Sequence, residues 1–153
     1  MRLGGLFVLL LLAGCNFTPL YSATTNPNVC VAQIPEHSGF VLRQILTSRF
    51  TGEQNCPYTL TVKTPKFSYS ALGISDHSFT TMQRVSVEAS YSLTDSKHKT
   101  VLNTSARADG STSIVNNPYA SVVAREKTDQ DLLNLLADQI EAHISSFLLK
   151  DTQ

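Results

Sequence analysis

Three cysteines, four histidines and two close pairs of carboxylates are the side chains in this sequence equipped to hold metals, cut bonds or form cross-links. A structural zinc site draws its ligands from short, characteristic Cys and His spacings. His37, His77, His98 and His143 are scattered, and none sits at ligand spacing from a cysteine, so no metal site is expected. A Ser or Cys nucleophile needs a base and an orienting group, and the local signatures of such sites are absent: no Gly-x-Ser-x-Gly, no His-Glu-x-x-His, no Gly-rich phosphate loop. Asp129 with Asp131, and Asp138 with Glu141, have the spacing of an acid–base pair. Both pairs fall largely opposite a helical apolar stripe, where carboxylates are solvated. His143 lies near that stripe, as a packed and hydrogen-bonded histidine would. No catalytic residue, and no enzyme, is expected.

Cys15 belongs to different chemistry. Arg2 is followed by an apolar run from Leu3 to Leu12, and Leu12-Ala13-Gly14-Cys15 closes it with small residues. A membrane-spanning helix takes about twenty apolar residues, whereas the apolar core of a secretion signal runs about 7 to 15. Residues 1–14 read as a signal peptide, and the Leu-Ala-Gly-Cys sequence resembles the bacterial lipobox. That resemblance implies cleavage before Cys15, lipid attachment to its thiol and acylation of the new amino terminus. Several acyl chains anchor a protein where one cannot, so the mature chain is expected to be tethered and not spanning. No other cofactor is implied. Asn16 stands where an aspartate would mark inner-membrane retention, which by the same resemblance implies the outer membrane. Residues 15–28 contain Pro19, Pro27 and a run of Thr and Asn, and read as an extended tether.

With Cys15 taken by lipid, Cys30 and Cys56 remain as an even pair in an oxidising compartment, which favours a disulfide over two buried thiols. Closing that loop would contribute about 3 to 4 kcal/mol on the chain-entropy model.

The chain has 153 residues, with 12 Lys+Arg against 12 Asp+Glu and only 16% charged residues. About a quarter is usual. Its 17 Ser and 16 Thr supply uncharged hydroxyls instead. Nucleic-acid binding needs a clustered basic excess, and no block of five like charges occurs, so that class is excluded.

The elements that must carry these residues follow from periodicity. Val29 to Ile34 reads as a short strand ended by Pro35. Glu36 to Phe50 places Val41, Ile45 and Ser48 on one helical line and Leu42, Leu46 and Phe50 on the next, with Gly52 as its stop. Tyr58, Leu60 and Val62 alternate as a strand. Pro65 interrupts it, and Phe67 and Tyr69 resume with opposite parity, which predicts an edge strand or a register-shifting bulge. Val85, Val87, Ala89, Tyr91 and Leu93 alternate with Arg84, Ser86, Glu88, Ser90 and Ser92. Beyond a turn at Asp95 to Lys99, Leu102, Thr104, Ala106 and Ala108 alternate with Asn103, Ser105, Arg107 and Asp109. Such strands have one buried and one wetted face. Asn117-Pro118 offers an N-cap and first helical residue, and Thr128 a second cap. Leu132, Leu133, Leu136, Ile140, Ile144, Phe147 and Leu148 then repeat at three and four. One long helix, or two broken near Glu126, both satisfy this pattern. The order β-α-β-β-β-α predicts an α/β domain over residues 29–150. It is a two-layer sandwich, a mixed four-stranded sheet covered on one face by two helices, with the first two strands parallel.

The segment Gly14-Cys15-Asn16-Phe17-Thr18-Pro19-Leu20-Tyr21 resembles the start of the LPS-assembly lipoproteins, the LptE family, in their alphaproteobacterial branch, which commonly have glycine where Asn16 stands. Asn117-Pro118-Tyr119-Ala120, Val123-Ala124-Arg125-Glu126 and Leu136-Ala137-Asp138-Gln139-Ile140 are similar to the same branch. The resemblance implies a lipoprotein of the outer membrane, facing the periplasm and lying within the lumen of the LPS-transport β-barrel LptD. There it would plug the barrel, help it assemble and bind lipopolysaccharide. Phosphates and acidic sugars favour Lys or Arg donors. Arg84 and Arg107 on the polar strand face, with Lys97 and Lys99 in the connecting turn, form the expected ligand-contacting set. The alternative is a periplasmic lipoprotein that scaffolds a secretion or pilus complex without catalysis.

Overall fold

A computed structural model describes residues 28–50, 52, 56–73, 81–114 and 117–151. The expected signal peptide, Cys15 and nearly all of the expected tether lie outside the described residues. Strand β1 (Val29–Val31) leads into helix α1 (His37–Arg49), then β2 (Tyr58–Val62), β3 (Lys66–Gly73), β4 (Thr81–Asp95), β5 (Thr100–Ile114) and helix α2 (Pro118–Asp151). β1 and β2 are parallel, Val29 beside Tyr58, as a helical crossover requires. The other pairs are antiparallel.

Five strands replace the expected four because the backbone divides at Pro65. β2 runs along the C-terminal half of β4 (Tyr58 opposite Asp95, Val62 opposite Tyr91), and β3 runs along its N-terminal half (Lys66 opposite Glu88, Phe67 opposite Val87). Residues 63–65 face only Ala89 and Ser90, so this side carries one extra residue. Lys63 N–H still donates to the Ser90 carbonyl at 2.9 Å, but Pro65 has no N–H to continue the ladder. The extra residue restores Phe67 and Tyr69 to the inner face, which explains their switch of parity.

β4 and β5, 15 residues each, form the hairpin that organises the sheet. At the turn, Asp95 Oδ1 accepts the N–H groups of Lys97 and Lys99, each at 2.9 Å, and His98 takes φ 59°. A short polar side chain bonding its own backbone two residues on is what makes Asp a turn residue. The inner face of the sheet presents Leu60, Val62, Val85, Val87, Ala89, Tyr91, Leu93, Ala106 and Ala108 to Leu42, Leu46 and Phe50 of α1 and to Leu132, Leu133, Leu136, Ala137, Ile140 and Ile144 of α2. Both helices therefore cover one face, and a two-layer sandwich results.

α1 matches the expected Glu36 to Phe50 stretch to within a residue at each end, but Gly52 is not what stops it. Phe50 is already extended, and its N–H closes on the Leu46 carbonyl. Gly52 instead makes room for a neighbouring strand. A Cβ there would stand 2.8 Å from the Val29 carbonyl oxygen, so only glycine lets the chain pass β1. α2 is a single helix of 34 residues, about 51 Å long at 1.5 Å per residue. Asn117 Oδ1 caps it, accepting from Tyr119 N–H at 3.0 Å and Ala120 N–H at 3.3 Å. Thr128 is not a second cap. Its hydroxyl donates to the Ala124 carbonyl one turn back at 2.8 Å, so the helix passes Glu126 unbroken. The Arg49 guanidinium joins the helices by pairing with Asp138 and, at 3.1 Å, with Glu141.

Candidate functional site

The carboxylates weighed as acid–base pairs are committed elsewhere. Asp138 and Glu141 answer Arg49. Asp131 pairs with Lys127 one turn away at 3.3 Å. Asp129 accepts the Tyr69 hydroxyl at 2.9 Å. His143 is hydrogen-bonded as expected but not packed: it is exposed on α2, with Nδ1 2.6 Å from the hydroxyl of the buried Tyr91. Burial pushes the Tyr91 phenol up to about 12. Among the described residues no group of His, Cys, Asp and Glu could hold a metal. Cys30 and Cys56 are disulfide-bonded, with Cα atoms 5.5 Å apart, and tie β1 to the entry of β2.

The face of the sheet turned away from the helices is the first candidate surface. Strand alternation and register bring Thr59, Thr61, Ser68, Ser70, Ser86, Ser90, Ser92, Ser105 and Ser111 onto it, around a band of charges of both signs at Lys66, Arg84, Glu88, Arg107 and Asp109. One polar cluster sits at its centre. Asp109 Oδ1 accepts from the Ser86 hydroxyl at 2.7 Å and pairs with Arg107 at 3.1 Å, and Arg107 also reaches the Ser86 oxygen at 3.1 Å. Hydrogen bonds from Arg107 and then Ser86 hold the Asp109 carboxyl below its usual range, with the Arg84 charge adding to the effect. The same Asp109 bond raises the Arg107 guanidinium further.

The four expected lipopolysaccharide contacts do not meet in one place. Arg84 and Arg107 share the sheet face and flank Asp109. Lys97 and Lys99 lie at the hairpin end, about 35 Å along β4 from Arg84 at 3.3 Å per residue. They form two stations, one of them partly neutralised by Asp109.

Periodicity did not disclose a second feature, a crevice of about 470 Å³ between the start of α1, β3 and α2. Val41, Phe67, Val122 and Leu133 make it apolar, and Glu36, Glu126 and Asp129 rim it. Tyr69 and Arg125 brace one wall: the guanidinium stacks over the phenol ring at 4.5 Å and donates to Gln83 Oε1 at 3.1 Å. Burial and the Asp129 hydrogen bond push Tyr69 up to about 12. Burial likewise raises the Asp129 carboxyl, and its Oδ1 is buried without a hydrogen-bond partner. Glu36 takes φ 67° and ψ 166°, a region nearly reserved for glycine. The sequence signal for this site was the apolar pair Val122 and Val123 preceding the buried stripe, in a stretch of helix with nothing obvious to cover.

A layer of two helices on one open, mixed sheet is a fold that bacterial lipoproteins use. A structure described as a lipoprotein of Caulobacter crescentus CB15 superposes with a TM-score of 0.60 at 17% identity, over 82% of this chain and 93% of that one. A minor lipoprotein of Acinetobacter baumannii gives 0.56 at 16% identity, over 78% and 94%. Lipoprotein B of Nitrosomonas europaea, itself uncharacterized, gives 0.61 at 12% identity, over 78% and 83%. At these identities the likeness is one of fold. No family model matches the sequence, and no curated protein matches it.

Proposed function

We propose that this chain is a non-enzymatic outer-membrane lipoprotein, anchored through acylated Cys15, that partners the LPS-transport barrel LptD, plugs it and assists its assembly and the insertion of lipopolysaccharide. The hydroxyl-rich outer face of the sheet carries the reading. A barrel lumen is polar, and a plug must hydrogen-bond to it without burying unpaired charge. Ser and Thr on alternating positions of four strands suit that contact, and the most central charges, Arg107 and Asp109, already neutralise each other. The Cys15-to-Tyr21 resemblance and a fold shared with bacterial lipoproteins support the same reading.

Within it, Arg84 with Arg107 and Lys97 with Lys99 act as separate lipopolysaccharide contacts on the face and at the hairpin end. Replacing all four by neutral residues should weaken binding to purified lipopolysaccharide; unchanged binding removes them from the proposal. Depleting the protein and assaying lipopolysaccharide at the cell surface tests the function itself, and normal surface levels would refute it. Recovery of a pilus or secretion complex in place of a barrel would select the scaffolding alternative.

A further inference from the structure

Natural sheets protect their edges with charge, proline, bulges or short strands. β5 follows that rule, carrying Arg107 and Asp109. β3 follows it at its two ends, with Pro65 and Lys66 at the first and a register shift between Ala71 and Gly73 at the second, and leaves the stretch between them open. From Phe67 to Gly73 it reads Phe-Ser-Tyr-Ser-Ala-Leu-Gly, with no charge and no proline. Among the described residues β3 pairs only with β4, because β1 is three residues long and stops beside Leu60. From Phe67 to Ala71 every second N–H and C=O of β3 therefore faces away from β4, with no partner strand among the described residues. The apolar crevice starts at this same place. Phe67 lies on the inner face of β3, α2 walls the far side, and the start of α1 closes one end. Val122, in the crevice, is 64% exposed, and Tyr119, one turn earlier on α2, 79%.

We infer that the β3 edge and its crevice receive an extended segment of another protein chain, added as a further strand with apolar side chains and one Lys or Arg turned inward. Strand addition draws affinity from main-chain hydrogen bonds and selectivity from pockets for alternate side chains. An inward cation suits the charge: Glu36, Glu126 and Asp129 line the crevice against the single guanidinium of Arg125, and Asp129 Oδ1 lacks a hydrogen-bond partner. This net acidity separates the occupants. Residues 16–27 of this chain contain no Lys or Arg. A second copy pairing through its own β3 would turn Phe67, Tyr69 and Ala71 inward, again without a cation.

The inference rests on the plug reading in one respect, that the segment belongs to the barrel, and two readouts keep the ideas apart. The full chain, expressed in cells with a photo-cross-linking phenylalanine analogue at Val122 or Ala71, is irradiated and the adducts identified. Retention of the barrel on purification of the unirradiated chain tests the plug reading alone. Adducts to the barrel from both positions are expected. Glu126→Lys should cut their yield about tenfold, as like charges across an interface do, while Glu126→Gln should cut it less and both variants keep the parent melting temperature. A barrel that copurifies but yields no adduct from either position overturns the inference and leaves the plug. Adducts of twice the chain's mass, or within the chain, overturn it also, as does an undiminished yield from Glu126→Lys.

Discussion

α2 does two different things along its length, and a pair of truncations separates them. Leu136 is fully buried between the sheet and α1, whereas Val122, four turns earlier on the same helix, is 64% exposed. Leu136→Ala removes methylenes from a close-packed site and leaves a cavity, which costs about 2 to 5 kcal/mol. For a domain of this size that lowers the melting temperature by roughly 6 to 20 °C. Val122→Ala removes two methyl groups already in water and slightly improves helix propensity, so its effect should lie within about 0.5 kcal/mol of zero. Urea unfolding of the isolated mature domain, followed by circular dichroism with both variants beside the parent, measures the two costs. A loss of more than about 1.5 kcal/mol from Val122→Ala would mean that the first turns of α2 are packed in the isolated protein, and the open crevice would be refuted. A loss below about 1 kcal/mol from Leu136→Ala would refute the sandwich core.

Other consequences are as direct. Replacing both Cys30 and Cys56 by alanine should cost about 3 to 4 kcal/mol, read in the same unfolding experiment with the parent under non-reducing conditions. Glu36→Gly should raise stability by about 1 kcal/mol by relieving the backbone at φ 67°, and should weaken any cation-dependent binding at the crevice. The Asp109 carboxyl is held below its unfolded value, so its contribution is present above about pH 4 and is lost as pH falls through the lowered folded value. Asp109→Asn should therefore flatten the acid limb of the stability profile and leave its slope above about pH 6 unchanged.

The strands and helices were legible where one physical signal dominated. Alternation in β4 and β5 predicted every inward and outward residue from Val85 to Leu93 and from Leu102 to Asp109, because a period of two has no competing explanation. The stripe from Leu132 to Leu148 marked the buried side of α2 for the same reason. The Thr128 cap misled because a threonine inside a helix can satisfy its hydroxyl on the preceding turn, and local sequence does not distinguish the two uses. Gly52 misled similarly: its constraint is the carbonyl of Val29, in a strand on the far side of α1 in sequence. The expected ligand set was separated by geometry along the strands, a length that face assignment alone does not report. The crevice was hidden because it depends on where α1 begins relative to β3, a tertiary relation between elements that are individually ordinary.

Partnership with a barrel is the point on which the proposed function stands. Extracting envelopes in mild detergent and purifying the full-length lipidated chain puts it to the test in one step. The LPS-transport barrel should be retained in equal amount with the protein. Quantitative recovery of the protein alone, or with an inner-membrane or pilus complex, would contradict the partnership.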